Sequence, residues 1–377
     1  MSLTVGILRE TADGETRCAL SPEVAAKLEG LGARIVAETG AGTAAGLPDT
    51  QFKSVEFLSA AQVAAESGVL LSVGRPTAEA VAGLKPGSVV VGMLRPYEAD
   101  AFVRRLKDAE ITAFAMELVP RISRAQSMDI LSSQAAVAGY RAVLLGATAL
   151  NKFLPMLTTA AGTIRPASAL VIGAGVAGLQ AIATARRLGA MVSGYDVRSA
   201  TREQVESLGA RFVDTGVKAE GEGGYARELT DEERAAQQAA LADVIAKSDL
   251  VVTTAAVPGR PAPRIIDAAT VERMQPGSVI VDLGAEGGGN CELTRAGETV
   301  EHGGVKIVGP VNLPAGTARH ASEMLSKNLL NFLSPIISEG DLAIDWEDEV
   351  YAESVLTHAG EVRFGPAKEA LEEGGEQ

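Results

Sequence analysis

The stretch that decides the fold is Ala169-Leu-Val-Ile-Gly173-Ala-Gly175-Val-Ala-Gly178. In it an apolar run leads into a Gly-x-Gly-x-x-Gly turn, and a helix-like segment follows at 179–188. A second apolar run, Met191-Val-Ser-Gly-Tyr, then ends in the acid Asp196. The order strand, tight turn, helix, strand is the dinucleotide-binding unit of parallel α/β sheets. The sequence therefore predicts a nucleotide site of the Rossmann type.

The three glycines have separate roles in such a turn. Gly173 permits the turn itself, Gly175 lets the backbone approach a pyrophosphate, and Gly178 lets the helix pack close to the strand. The first N–H groups of the helix, at Val176 and Ala177, then point at the phosphates together with the positive end of the helix dipole.

The acid after the second strand predicts which nucleotide binds. Asp196 lies close to the ~20 residues after the turn at which a carboxylate accepts hydrogen bonds from the adenosine ribose. Its charge repels a 2′-phosphate, so the pattern favours NAD over NADP. Val197 and Arg198 complete this predicted binding segment, and we expect the Arg198 side chain to be solvated.

Composition restricts the class of protein and its partners. The 377 residues carry a net charge of −14, with 46% apolar and 22% charged residues, which is typical of a soluble globular protein of two or three domains. The negative charge disfavours nucleic acid or an anionic membrane surface as a direct partner. Cys18 and Cys291 are too few for a disulfide framework and lack metal-ligand spacing, so we expect no metal and a reducing compartment. We find neither a signal-like N-terminus nor an apolar stretch of about 20 residues, which predicts a cytoplasmic chain without membrane insertion.

Alternating strands and helices continue on both sides of the glycine turn. We predict an α/β fold of two Rossmann-like lobes with parallel sheets, separated by a cleft. The N-terminal lobe is expected over 1–135, completed by 318–377, and the NAD(H)-binding lobe over 136–317. The expected strands are 3–8, 34–38, 69–73, 88–93, 112–116, 169–172, 191–195, 211–213, 249–254, 278–282 and 305–308.

Several further elements are predicted outside these strands. Ser21 and Pro22 are typical of the N-cap and first position of a helix. A long helix is expected over 321–332, a small hairpin over 350–364, and a frayed acidic tail over 369–377.

The segment 217–232 interrupts the regular alternation, since it is glycine-rich and charged and holds a single aromatic residue, Tyr225. A long insertion between strands is usually a lid or a mobile surface loop. The lone tyrosine flanked by small residues favours a lid whose tip docks on a ligand, with a disordered surface loop as the alternative.

Few residues could act as a general acid or base. A dehydrogenase that oxidises an alcohol or amine needs a base, commonly His or Lys. We expect His302 and His358 in polar turns near the surface, and His320 in a capping or structural role at the start of a late helix. The nucleotide pattern is therefore stronger than the pattern for proton transfer.

A polar cluster covers 117–134, between a strand and a helix at the predicted junction of the lobes. It holds two arginines, a glutamine, an aspartate and several serines. This mix of donors and acceptors suits a nicotinamide carboxamide, although a network of helix caps and ion pairs would use the same residue types.

The run Pro-Arg-Ile-Ser-Arg-Ala-Gln-Ser-Met-Asp at 120–129 resembles a signature of the NAD(H)-binding component of proton-translocating nicotinamide nucleotide transhydrogenase. The other runs similar to that family are 175–185, 223–226, 258–263, 288–291 and 327–333. The resemblance covers about residues 1–335. It implies direct hydride transfer between NADH and NADP⁺ held on a partner subunit, coupled to proton translocation across the membrane.

The resemblance also implies site residues. Arg121, Gln126 and Asp129 would be the catalytic residues, since with Ser132 they would orient the nicotinamide and its ribose or phosphate. Tyr225 would close over the nucleotide. The implied NAD(H)-binding set is Arg121, Gln126, Asp129, Ser132, Gly173, Gly175, Val176, Ala177, Gly178, Asp196, Val197, Arg198, Tyr225, Ala255 and Glu286.

The implied partners are membrane-embedded and NADP(H)-binding transhydrogenase subunits. The chain would then be a soluble subunit, a homodimer in isolation, bound through its partners to the cytoplasmic face of the membrane. Catalysis would rest on proximity, with two nicotinamide rings held ~3–3.5 Å apart.

Alanine dehydrogenase shares this fold, and Arg17-Cys-Ala-Leu-Ser-Pro22 is similar to it. Its catalytic Lys and His are replaced here, because the corresponding segments look like Gly74-Arg75-Pro76 and Met93-Leu94-Arg95. Glu286 falls near its catalytic acid but alone does not oxidise an amine. Direct hydride transfer between nicotinamides releases no proton from a substrate, so these departures favour transhydrogenation. The alternatives are an alanine-dehydrogenase-like amino-acid dehydrogenase and a catalytically silent NAD-binding sensor.

Overall fold

A computed structural model describes residues 3–98, 101–217, 227–256, 259–338 and 340–373. The chain divides into two compact units, and each is described by itself. Unit 1 consists of residues 1–134 and 315–377, and unit 2 of residues 135–314.

The elements up to residue 149 alternate strands and helices. They are β1 (Thr4–Ile7), α1 (Pro22–Gly30), β2 (Arg34–Glu38), β3 (Val55–Leu58), α2 (Ala60–Glu66), β4 (Val69–Leu71), α3 (Ala78–Gly83), β5 (Val89–Gly92), α4 (Ala101–Asp108), β6 (Thr112–Ala115) and α5 (Ile130–Ala149).

The same alternation continues to residue 308. The elements are β7 (Leu157–Thr159), β8 (Gly162–Ile164), β9 (Ser168–Ile172), α6 (Val176–Arg187), β10 (Met191–Tyr195), α7 (Thr201–Ser207), β11 (Arg211–Phe212), α8 (Asp231–Ala246), β12 (Leu250–Thr253), α9 (Ala268–Glu272), β13 (Val279–Asp282), β14 (Thr299–His302) and β15 (Val305–Val308).

The final segment of the chain returns to unit 1. Its elements are α10 (Ala318–Leu333), β16 (Ile337–Ser338), β17 (Asp341–Leu342), α11 (Glu349–Ser354), β18 (Val355–His358), β19 (Glu361–Val362) and α12 (Gly365–Glu373).

The sheet of unit 1 has eight strands in the order β19-β18-β6-β5-β4-β1-β2-β3. The six strands from β6 to β3 are parallel, and β18 and β19 are antiparallel additions. Chain direction reverses between β1 and β4, which is the switch point where ligands bind in open α/β sheets.

The sheet of unit 2 has seven strands in the order β11-β10-β9-β12-β13-β15-β14. All of its neighbours are parallel except β14, which is antiparallel to β15. The switch point here lies between β9 and β12. Two Rossmann-like sheets are therefore confirmed, and the sheets are mixed at their edges rather than purely parallel.

Buried apolar strands explain why the sequence predicted most of this architecture. β4, β5 and β12 are buried along their whole length, as strands covered by helices on both faces must be. β3 was missed because it is an edge strand with no fully buried residue. At α1, the Ser21 hydroxyl accepts a hydrogen bond from Val24 N at 3.3 Å, as a helix cap does.

The C-terminal predictions need correction. Only the second half of the expected hairpin is one, β18 with β19, because Asp348 caps a helix that occupies 349–354. The expected frayed tail is helical to residue 373, since Ala367 on α12 is buried against the core of unit 1.

The predicted lid is shorter than expected at its C-terminal side. Thr230 and Glu233 form a capping box that starts α8 at residue 231. The predicted tip, including Tyr225, lies outside the described residues.

Helix α5 has 20 residues and is, within the described residues of the chain, the one helix long and apolar enough to cross a membrane by length and composition. The expectation that no such stretch exists is therefore wrong. A Cβ at Gly139 would lie 2.0 Å from the carbonyl oxygen of Ala177, and one at Gly146 2.4 Å from a methyl of Leu250. This face of α5 is thus packed inside unit 2, as in a core helix.

Candidate functional site

The glycine turn of unit 2 joins β9 to α6 at the switch point. Gly173 has a φ of +96°, which favours glycine, and its carbonyl accepts a hydrogen bond from the Thr254 hydroxyl at 3.0 Å. A Cβ on Gly178 would lie 1.8 Å from that same carbonyl oxygen. The turn therefore requires glycine at both positions, for backbone conformation at the first and for close packing at the second.

The start of α6 is open to a ligand. Gly175 is its N-cap and supplies no side-chain hydrogen bond, so the N–H groups of the first turn, from Val176 and Ala177 onward, lack a side-chain acceptor there. The Val176 side chain is 44% exposed, and a Cβ on Gly175 would have no protein atom within 4 Å. This geometry suits a phosphate group close to the backbone.

Asp196 is buried at the end of β10 and accepts four hydrogen bonds. Its Oδ2 accepts from Ala174 N and from Arg198 Nη2, both at 2.7 Å. Its Oδ1 accepts from Arg198 N at 2.8 Å and from Arg198 Nε at 2.9 Å. The expectation that Arg198 is solvated is wrong, since this hydrogen bonding to Asp196 also raises the pKa of Arg198. Asp196 thus clamps the glycine turn as well as facing the predicted ribose position.

A cavity of about 70 Å³ lies beside Asp196 and is lined by Val197, Val213 and Thr215 among others. The Tyr195 hydroxyl at its base accepts hydrogen bonds from Thr215 at 3.2 Å and from Gln237 at 3.0 Å. A partly apolar pocket next to the ribose acid suits an adenine ring.

Sequence reasoning missed the network that holds Ala255. Asn290 is fully buried, its Oδ1 accepts from Ala255 N at 3.1 Å, and its Nδ2 donates to Ala255 O at 2.7 Å. Asp282 is also fully buried and accepts from Thr253 Oγ1 at 2.8 Å and from Cys291 N at 2.9 Å. The motif at 288–291 contained Asn290 and Cys291, but only the fold shows that this network fixes the loop after β12.

Glu286 lies in a 3₁₀ turn after β13, and its side chain is exposed. Its Oε1 accepts a hydrogen bond from Asn312 N at 3.0 Å. It therefore braces a neighbouring loop of unit 2.

The polar cluster of unit 1 follows β6. Arg121 and Gln126 are exposed, and Gln126 lies in a 3₁₀ turn, Ser123–Met128. Within the described residues the Gln126 side chain has no recorded hydrogen bond. Asp129 accepts from Ser132 N at 2.8 Å and from Ser132 Oγ at 2.6 Å. These last two residues form a helix cap at the start of α5, so some of the cluster has the capping role considered from the sequence.

The segments that correspond to the catalytic Lys and His of alanine dehydrogenase carry backbone contacts here. Arg75 donates to the carbonyls of Leu94 at 2.7 Å, Arg95 at 2.8 Å and Glu98 at 2.7 Å. Glu117 accepts from Leu94 N at 3.1 Å and from Arg95 N at 2.7 Å. A guanidinium used in this way does not accept a proton from a substrate, because it stays charged.

The buried cation of unit 1 is also occupied. Arg17 is 7% exposed and binds Glu15 through Nε at 2.8 Å and through Nη2 at 2.7 Å. Its Nη1 donates to Gln134 Oε1 at 2.9 Å. A carboxylate substrate would have to displace Glu15 to reach this guanidinium.

Glu10 lies after β1, at the switch point of unit 1, and its Oε1 accepts from Val73 N at 2.5 Å. Burial raises the pKa of Glu10 to about 7, against the opposing hydrogen bond from Val73. The unfolded chain releases this proton near the ordinary value of 4.5, so the stability it contributes is fully present below that pH and is lost as pH rises through about 7.

We therefore expect Glu10→Gln to flatten some of the pH dependence of unfolding. The free energy of unfolding of the wild-type chain should fall relative to the variant between pH 5 and pH 7, by at most about 1.4 kcal/mol per pH unit. Urea unfolding at several pH values measures this difference, with Glu29→Gln, an exposed carboxylate on α1, as the control. Parallel curves for the wild type and Glu10→Gln would contradict the prediction.

The three histidines stay apart from these sites. His302 pairs with Glu272 on the exposed edge of unit 2, and His320 is exposed within α10. His358 was expected in a polar turn but lies in β18, 4.3 Å from the Trp346 ring, where burial lowers its pKa. None of the contacts recorded for these histidines in the described chain involves a predicted site residue.

Comparisons with known proteins agree with this arrangement. The family profiles "Alanine dehydrogenase/PNT, N-terminal domain" and "Alanine dehydrogenase/PNT, C-terminal domain" match residues 6–138 and 142–365. An NAD(P) transhydrogenase alpha subunit of Rhodospirillum rubrum, named as the first piece of a divided subunit, is 47% identical over 374 residues, which are 96% of this chain and 97% of that protein. The chain belongs to the alanine dehydrogenase/PNT family, among its transhydrogenase alpha subunits.

Other members of the alanine dehydrogenase/PNT family support this placement. The crystal structure of a transhydrogenase from Sinorhizobium meliloti is 46% identical and covers 95% of this chain and 99% of that chain, with a TM-score of 0.87. An alanine dehydrogenase from Halomonas elongata is 28% identical over 98% of this chain and 97% of its own length. The expected end of the likeness near residue 335 is wrong, because the family profile continues to residue 365.

Proposed function

We propose that this chain is the NAD(H)-binding subunit of a proton-translocating NAD(P) transhydrogenase. The observation that carries the proposal is the glycine turn with the uncapped start of α6, next to the buried Asp196. In this proposal the pyrophosphate binds the start of α6, and the adenosine binds beside Asp196 and Val197.

The nicotinamide end would be bound by the unit 1 cluster. Arg121 and Gln126 would orient the carboxamide, while the cap formed by Asp129 and Ser132 gives their loop its shape. Tyr225, Ala255 and Glu286 complete the proposed site.

The proposed chemistry is direct hydride transfer from NADH to NADP⁺ on a partner subunit. Hydride leaves one nicotinamide and joins the other, giving NAD⁺ and NADPH, and no substrate proton is released. The absence of an acid–base pair among the contacts of the described histidines and of Arg75 is compatible with that balance. The rate then depends on holding the two rings in line and close together.

The proposed partners are a membrane-embedded subunit and an NADP(H)-binding subunit, which would keep this chain at the cytoplasmic face of the membrane. The name of the R. rubrum relative describes one chain of an alpha subunit that is divided between chains, which supports an assembly completed by further polypeptides.

A homodimer is the proposed state in isolation. All residues of β7 and β8 are exposed, and Met156 beside them is 64% exposed. A lone two-stranded hairpin is marginally stable in water, so a second copy is the occupant we propose for it. Sedimentation of the wild-type chain and of Ile164→Lys tests this, and two identical dimers would move the interface elsewhere.

The deciding experiment mixes the purified chain, NADH and the separately made NADP(H)-binding subunit, and follows reduction of NADP⁺ or an analogue. Transfer only in the mixture supports a half-site enzyme completed by its partner. NADH binding without transfer, together with oxidation of L-alanine by NAD⁺, would assign the chain to the dehydrogenase branch. NADH binding with neither activity would leave the sensor.

We expect Asp196→Ala to weaken NADH binding by about 1–3 kcal/mol, because a charged hydrogen-bond acceptor for the ribose is lost. The Arg198 guanidinium also loses its Asp196 contact, so affinity for NADPH should rise relative to that for NADH. Calorimetric titration with both nucleotides measures the two effects. Unchanged NADH affinity would remove Asp196 from the site.

A further inference from the structure

The 3₁₀ turn Ser123–Met128 is tied to the C-terminal segment of unit 1. Arg124 donates from Nη1 to Asp348 Oδ2 at 2.8 Å and from Nη2 to Asp348 Oδ1 at 2.6 Å. Its Nη2 also reaches Glu349 Oε1 at 3.3 Å. A two-point contact of this kind fixes the plane of the guanidinium as well as its position.

Asp348 is itself held firmly. Its Oδ1 accepts from Val350 N at 2.8 Å and so caps α11. On the same helix Tyr351 is 2% exposed and donates its hydroxyl to Phe332 O at 3.0 Å. The chain then continues directly into β18, which pairs with β6. Arg124 therefore binds a fixed point of unit 1 and not a mobile surface residue.

A second tether holds the turn from the side of α10. Asn328 and Asn331 each donate from Nδ2 to Ser127 O, at 2.8 and 3.0 Å. Ala125 and Met128 are buried in the core of unit 1. Between these anchors only the Gln126 side chain stays exposed without a recorded hydrogen bond in the described chain.

We propose that Arg124 and Asp348 are a positioning pair, through which the C-terminal segment 345–354 orients the loop that carries Arg121 and Gln126. The inference rests on the function proposed above. Arg124 is half exposed, so the pair adds little to stability. Its consequence lies in orientation, because hydride transfer by proximity is sensitive to displacements of about 1 Å.

The test compares Arg124→Gln, Asp348→Asn and the charge-reversed double variant Arg124→Asp/Asp348→Arg in the mixed hydride-transfer assay. We expect kcat to fall about fivefold in each single variant, as the loss of an exposed ion pair allows, with an unchanged Kd for NADH. The double variant should recover most of the rate. Asparagine still caps α11, so Asp348→Asn separates the ion pair from the cap.

The matched control is Arg34→Gln, which removes an exposed guanidinium of unit 1 that pairs with Glu56 and Glu66 at 2.5 and 2.6 Å. Trp346 is the one tryptophan of the chain and packs against His358, so its emission reports whether the C-terminal segment stays in place. We expect that emission and the thermal midpoint to be unchanged in the single variants.

Three results would overturn the inference. They are an unchanged kcat in both single variants, an equal loss in Arg34→Gln, and a loss that the double variant does not recover while Trp346 emission shifts. An equal change in kcat and in Kd would instead make Arg124 a nucleotide contact and also contradict it. Gln126→Ala, run alongside, separates the levels: if it has no effect, the proposed role of the loop fails, whereas an effect of Gln126→Ala alone removes only the positioning pair.

Discussion

Gly175→Val should abolish measurable NADH binding while the chain stays folded. A Cβ at this position meets no protein atom within 4 Å, and no left-handed conformation is required of the residue. The added side chain would instead occupy the space in front of the first N–H groups of α6, where the proposed site has the pyrophosphate. We expect at least a 100-fold loss of affinity, about 3 kcal/mol. The cost in stability should stay near 1 kcal/mol, which is about what valine costs at an N-cap.

Gly178→Ala provides the contrast for that experiment. Its Cβ would lie 1.8 Å from the carbonyl oxygen of Gly173, so α6 has to move away from β9. We expect this variant to lose several kcal/mol of stability, about what forced overpacking costs, before any ligand is added. Calorimetric titration together with urea unfolding distinguishes the two cases. A Gly175→Val chain that binds NADH normally would exclude the start of α6 as the phosphate site.

The sequence was sufficient for the regions of the fold that depend on local pattern. The unit from β9 to β10 was predictable because apolar runs, glycine spacing and a terminal acid lie within a single stretch of chain. Continuous apolar runs such as Val89–Gly92 indicated buried parallel strands for the same reason. The edge strand β3 and the helix α11 escaped prediction because neither has a clear apolar period of its own.

The predictions that failed depend on contacts between distant residues or on the exact path of the backbone. Arg198 is adjacent to Asp196 in the sequence, yet only the bend after β10 shows that its guanidinium folds back onto that carboxylate. Asn290 was visible as a member of a motif, but its two contacts with Ala255 span 35 positions. Arg124 and Asp348 are 224 positions apart, and both residue types are common on surfaces. No local pattern predicts such pairs.

Gln126→Ala should slow hydride transfer about 100-fold in the mixed assay and change the Kd for NADH by less than about twofold, as expected when an oriented contact close to the reacting rings is removed. The Gln126 side chain is exposed and has no recorded hydrogen bond in the described chain, so its loss removes no contact that the fold uses. Any loss of rate then comes from the ligand or from the partner subunit. Arg121→Ala should follow the same pattern, since its guanidinium belongs to the same exposed loop.

The measurement is single-turnover reduction of NADP⁺ at saturating NADH, beside a binding titration of the same preparation. Gln204→Ala on α7 is the matched control, because that glutamine is also exposed but lies in unit 2 outside the proposed site. Equal losses of rate and affinity in Gln126→Ala would mean that the loop only anchors the nucleotide. A loss of rate alone would mean that the loop aligns the two nicotinamides, because alignment is the one contribution that a proximity mechanism needs and ground-state binding does not measure.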